Sequence, residues 1–351
     1  MIRMTHRFFR LLISIPLLSA LAALAATPSS SAYRLEKKLT LGGPGGWDYF
    51  EVNPADGHVF IPRDEHILVL DSGLRQIADI GDVHGAHAIA FAPDRKKAYL
   101  ATDASVSILD LQTMKVKGVV ALSGKDPDAI LYDSFSGRVF TFNGGGTEDA
   151  SAIDATSGKV VGTVPLGGKP ETAQTDGHGH IFVNIEDKNQ IVDFDSKTLK
   201  TLHTWPTAPC ERPAGMAIDA VHERLFVGCR NQMMAMVDAT NGRVVGTVPI
   251  GKGVDANRFD PETGLAFASS GDGKITVAHE DSPARLRVVE TIATEPGART
   301  MTLDLKTHRV YTVTAKFGPP PAPTEKNPHP YPEMAPNTFT VLVFQRASAG
   351  K

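Results

Sequence analysis

Short apolar segments separated by Gly, Pro, Asn and Asp turns run along this chain in a fixed order. Each unit reads as an apolar strand, a tight turn, a second apolar strand, a polar loop, a third strand that often ends in Asp, and a fourth that ends near Gly. The clearest copies, residues 157–167 and 241–251, begin 84 residues apart, twice a period of about 42. The first turn of each unit falls at Asn53-Pro54, Ala92-Pro93, Asp133-Ser134, Asp176-Gly177, Asp219-Ala220, Asp260-Pro261 and Asp304-Leu305. Third strands close on Asp71, Asp110, Asp154, Asp195 and Asp238, where the carboxylate can bond its own turn.

Four short strands per unit, repeated seven times, predict an all-β, seven-bladed β-propeller with four antiparallel strands in each blade. The seventh unit offers strands near residues 300–304, 309–314 and 338–344 but no fourth. Residues 33–41 supply it, so an N-terminal strand completes the last blade and removes the exposed edges of an open ring. Residues 33–347 then form one domain, with a Pro-rich insertion at 316–337 in place of a short loop. Proline fixes φ, so this insertion reads as a semi-rigid flap over the channel, with His329 and Tyr331 as its contacts.

Composition agrees with a turn-rich β protein: 32 Gly and 24 Pro in 351 residues, 42% hydrophobic. A formal charge of −3 argues against bulk electrostatic binding of nucleic acid. Residues 1–32 read as a cleaved secretory signal. Arg3, His6 and Arg10 precede an uncharged apolar run at 11–26, and small residues follow at Ala23, Ala25, Ser30 and Ala32. That run is short for a membrane span. The expected product is a monomer in the periplasm or secreted, with no span after cleavage.

The motifs Trp47-Asp48-Tyr49, His84-Gly85-Ala86-His87, Gly168-Lys169-Pro170-Glu171, Pro209-Cys210-Glu211, Gly253-Val254-Asp255 and Pro296-Gly297-Ala298-Arg299 recur at equivalent points. On these the chain resembles the YncE-like, YVTN-repeat family of bacterial β-propellers. The resemblance implies an exported seven-bladed propeller and little about chemistry, because one fold hosts many functions.

One register carries the chemistry. At the start of each innermost strand stand Asp48, His87, Asp128, Glu171, Ala214, Asp255 and Arg299; His84 and Glu211 lie three residues before this register, and Arg212 follows Glu211. Six of the seven occupants are ionisable, where turn or apolar residues are expected. They are the candidate ligand-binding set, for a small polar or cationic ligand or a protein partner. Converging carboxylates raise one another's pKa unless a cation neutralises them. The other readings are a merely solvated channel mouth, or a metal-assisted, lactonase-like hydrolase or lyase. In the latter, Asp48, His87, Glu171 and Asp255 would hold a divalent cation (Ca, Mn or Zn), with His87 or Asp128 as proton acceptor and Arg299 on an anion. Cys210 and Cys229 flank the fifth blade's first hairpin and are expected to form a disulfide in an oxidising compartment. Gly42 to Gly46 lacks the lysine of a phosphate cradle and reads as a loop clearing the channel mouth.

Overall fold

The computed structural model describes residue 1, residues 33–324 and residues 332–347. The expected signal segment, His329 and Tyr331 lie outside these residues.

Seven four-stranded antiparallel sheets form the ring. Their innermost strands are Glu51–Val52, Ala88–Ala92, Pro127–Asp133, Pro170–Thr175, Pro213–Asp219, Val254–Asp260 and Met301–Asp304. In the first six blades each later strand pairs with the one before it, moving outward. The seventh blade runs Met301–Asp304, Arg309–Thr314, Thr340–Arg346 and finally Tyr33–Thr40. Tyr33 lies opposite Arg346 and Thr40 opposite Thr340, with a register shift between Leu35 and Lys37. The two ends of the domain are thereby joined by one ladder.

Burial follows from stacking sheets face to face. Second strands are covered on both sides, so Val59–Arg63 and Leu265–Ser270 are buried throughout. Fourth strands meet water on one side, and Lys115–Ala121 alternates between exposed and covered positions. Between the seventh and first blades, Phe50, Ile61, Tyr311, Val313, Phe339 and Val343 form one apolar cluster. Trp47 packs beside it, against Phe339 at 5.2 Å and Phe317 at 6.0 Å between ring centroids.

The glycine-rich loop does not clear a passage; it wraps a buried cation. Arg63 is 0% exposed, at the end of a second strand. Its guanidinium donates to the carbonyls of Gly42 at 3.2 Å, Pro44 at 2.7 Å, Gly45 at 2.7 Å and Gly46 at 2.9 Å. The Phe339 ring lies 3.7 Å from its Cζ. Burial pulls the guanidinium down to about 10, so it remains charged at neutral pH. At Gly45, φ is +86° and a Cβ would fall 2.6 Å from the Arg63 carbonyl oxygen, so this position requires glycine.

The base of the Pro-rich insertion is ordered. Phe317 bridges Met334, Gly318 N–H donates to Glu333 O at 2.9 Å, and Ala335 N–H donates to Lys316 O at 2.8 Å.

Candidate functional site

The starts of the innermost strands are held together by the backbone. Tyr49 N–H donates to His87 O, and His87 N–H donates to Ala101 O, each at 3.0 Å. Tyr49 is buried, and its hydroxyl donates to the Asp255 carbonyl oxygen at 3.1 Å, reaching from the first blade to the sixth. The ring of charged side chains lies around this phenol.

A chain of ion pairs runs through five consecutive blades. Lys169 Nζ binds Glu171 Oε1 at 2.6 Å and Glu186 Oε2 at 3.1 Å. Glu186 Oε1 takes Arg212 Nη2 at 2.8 Å and Arg230 Nε at 3.3 Å. Arg230 continues to Asp255 Oδ1 at 3.4 Å, and Asp255 Oδ2 takes Arg299 Nε at 2.9 Å. Arg299 ends the chain, with Nη2 3.8 Å from Asp48 Oδ1. Across blades four to six every carboxylate of the chain therefore faces at least one close cation.

The remaining side is different. Asp128 has no ion-pair partner among the described residues, and the Asp48 contact with Arg299 is long. His87 Nε2 lies 3.7 Å from Asp103 Oδ1, out on the rim. Desolvation, followed by the charges of Asp255 and Asp128, holds Asp48 well above the usual carboxylate range, against the pull of Arg299. Asp128 is also raised, chiefly by desolvation, with Asp126 and Asp255 adding to it and Lys169 opposing.

Glu171 and Glu186 divide a proton unequally. Burial raises Glu171 to about 8 even though Lys169 is beside it. Glu186 is also desolvated, but the hydrogen bond from Glu171 and the charges of Lys169 and Arg230 draw it down to about 2. The buried pair thus holds one proton on Glu171 and one negative charge on Glu186.

Lys169, Glu186 and Arg230 escape a search of the strand-start register alone. Glu186 and Arg230 follow second strands, so aligning the second-to-third loops together with the strand starts would have exposed them. A disulfide joins Cys210 and Cys229, with Cα atoms 5.4 Å apart. It ties together the backbone just before Arg212 and just before Arg230, which converge on Glu186. His84 pairs outward with Glu65 at 2.5 Å, and Glu211 lies on the exposed rim.

The metal set does not gather. Among the described residues, one group of three His, Cys, Asp or Glu brings its ligand atoms within 4.8 Å, and it comprises Asp219, His222 and Glu280. Asp48, His87, Glu171 and Asp255 do not close to that distance, and Lys169, Arg230 and Arg299 already occupy two of them.

Along the axis beyond Tyr49 lies a cavity of about 500 Å³, walled by innermost strands of all seven blades and reaching the hairpin turns at Pro54 and Leu305. Its wall is mostly apolar. Its polar core is the Glu51–Arg258 ion pair, with Thr302 Oγ1 donating to Glu51 Oε2 at 2.7 Å. The strand-start residues from Asp48 to Arg299 do not line it. The charged ring is therefore distinct from this cavity, with Tyr49 lining the cavity and bonded to Asp255 of the ring.

The chain is a seven-bladed β-propeller. It superimposes on a chain of the mitotic checkpoint complex crystal structure with a TM-score of 0.72 at 12% identity, over 98% of this chain and 99% of that one. Hydrazine synthase of Kuenenia stuttgartiensis gives a TM-score of 0.66 at 14% identity, over 79% of this chain and 94% of that one. At these identities the likeness concerns the fold alone. No family model and no curated protein sequence matches the chain.

Proposed function

We propose that this chain is an exported, non-enzymatic propeller of the YncE-like kind that binds a small cationic ligand at its charged mouth. The observation that carries this reading is the imbalance of the ring. Carboxylates on blades four to six lie within 3.4 Å of Lys169, Arg212, Arg230 or Arg299, while Asp48 is 3.8 Å from Arg299 and Asp128 has no ion-pair partner among the described residues. An amine or guanidinium placed there would offset the desolvation that chiefly raises both groups, and the charge of neighbouring carboxylates that adds to it. Pre-organisation comes from the ion-pair chain, which fixes the opposite wall. Export rests on the N-terminal pattern and accords with the Cys210–Cys229 disulfide, since such bonds persist in oxidising compartments.

Metal-assisted hydrolysis is not favoured, because its four proposed ligands are dispersed and partly paired with arginine and lysine. No catalytic role is derived for His87, Asp128 or Arg299.

The test is calorimetric titration of the purified protein with a panel of primary amines, guanidines and quaternary ammonium compounds, beside neutral and anionic analogues. The expected result is saturable binding of one cationic class, abolished in Asp48→Asn/Asp128→Asn. Binding confined to anions, or cation binding indifferent to both substitutions, would refute it.

A further inference from the structure

The repeat supplies its own reference for what happens at the end of an innermost strand. Asp133, Asp260 and Asp304 each close their strand and accept a hydroxyl three residues later: Ser136 at 2.6 Å, Thr263 at 2.7 Å and Thr307 at 2.6 Å. These turns satisfy their own carboxylate. The fifth blade departs from the pattern, because His222 stands where the hydroxyl belongs.

A second departure lies beside it. The third strand of the sixth blade runs on as Lys274–Ser282, nine residues against five to seven for third strands elsewhere, and the extension brings Glu280 to the fifth blade's turn. Ligand atoms of Asp219, His222 and Glu280 then lie within 4.8 Å of one another. Asp219 is 4% exposed, with Oδ1 taking the backbone N–H groups of Val221 and His222 and Oδ2 2.6 Å from His222 Nδ1. Glu280 Oε1 is sealed from solvent and has no hydrogen-bond partner, although buried acceptors are ordinarily satisfied.

We infer that Asp219, His222 and Glu280 form a binding site for a first-row divalent cation such as Zn²⁺ at the boundary of the fifth and sixth blades. Two carboxylates and one imidazole are borderline-hard donors that suit Zn²⁺, Co²⁺ or Mn²⁺. Asp219 is fixed by its turn, and the exposed His222 side leaves coordination positions open to water. The nearby guanidinium of Arg224 is directed elsewhere, donating to Pro283 O at 2.7 Å and Glu223 O at 2.8 Å and lying 3.4 Å from Asp238.

The next blade boundary shows the alternative that needs no metal. His308 puts Nδ1 2.7 Å from Asp260 and Nε2 3.5 Å from Glu262, so each carboxylate has its own ring nitrogen. At Asp219 the two carboxylates instead converge on one imidazole, with ligand atoms of all three within 4.8 Å of one another.

Chelator-treated protein titrated with Zn²⁺ by calorimetry, and with Co²⁺ by visible absorption, tests the site. One ion per chain is expected. His222→Ser restores the hydroxyl that other blades use, and Glu280→Gln keeps the shape, so both variants should fold; each should weaken binding at least about tenfold, the smallest loss typical of even a supporting partner. His180→Ala/His203→Ala, which alters the other histidine-rich pocket, around Asp193, should bind as wild type does. Absence of stoichiometric Zn²⁺ and Co²⁺ binding would overturn the inference. So would binding unchanged in both site variants, or loss confined to the His180/His203 variant.

Discussion

Replacing Glu171 by Gln should make the protein more stable at pH 8 than wild type, with little difference at pH 5. Glu171 is 4% exposed and its pKa is raised from 4.5 to about 8. A carboxylate whose folded pKa lies above its unfolded value contributes stability that is fully present below the unfolded pKa. That stability is lost as pH rises through the folded pKa. The window therefore runs from about pH 4.5 to about pH 8. At about 1.4 kcal/mol per pH unit, the whole span corresponds to roughly 4–5 kcal/mol. Glu186, drawn down to about 2, acts in the opposite sense and only at lower pH: its contribution is present above about 4.5 and is lost as pH falls toward 2. A difference of roughly 2–4 kcal/mol between pH 5 and pH 8 is thus expected in wild type from Glu171. Gln cannot ionise, and its amide can donate to Glu186 as the protonated carboxyl does, so the variant should lose that slope. Guanidinium denaturation of both proteins at several pH values reads the effect as a divergence of midpoints. Parallel pH profiles for wild type and variant would refute the shared-proton account of this pair.

Arg63→Met should cost about 2–4 kcal/mol, because it removes charged hydrogen bonds to the Gly42–Gly46 carbonyls and the stack on Phe339, while part of that loop can rehydrate. Thermal unfolding checks it, and an unchanged midpoint would show that the cage is not stabilising. Reducing Cys210–Cys229, or replacing both by Ser, should cost about 2–4 kcal/mol and loosen Arg212 and Arg230 from Glu186; denaturation under reducing and oxidising conditions measures the first. Deleting residues 33–40 strips the outer edge from Thr340–Arg346, and light scattering should then find larger species or unfolded chain compared with the intact protein.

The architecture was readable because propeller folding is local and periodic. The turns from Asn53 to Asp304 and the missing fourth strand of the last unit specify seven blades and their closure. The charged mouth was half readable. Asp48, Asp128, Glu171, Asp255 and Arg299 share one register, but Lys169, Glu186 and Arg230 come from neighbouring positions and other loops. Which of them meet depends on strand stagger and side-chain direction between blades, and a single aligned column does not carry that. Arg63 was hidden for a related reason. A lone arginine closing an apolar strand resembles a surface residue until the glycine loop is folded over it. The metal expectation at the mouth counted carboxylates without the cations that hold them. Among the described residues, the ligand cluster instead arose where His222 and Glu280 break the repeat, in two different blades.

The claim that the mouth is built for a cation is tested most directly by following the Asp48 and Asp128 side-chain carboxyl resonances by ¹³C NMR through a pH titration, with and without the best-binding amine. Both groups should titrate above the ordinary aspartate value without ligand. Both should fall when the amine binds, with protons released and affinity rising with pH, because the cation favours the ionised form. Titration of both near the ordinary value of about 3.9, unmoved by the amine, would contradict the account.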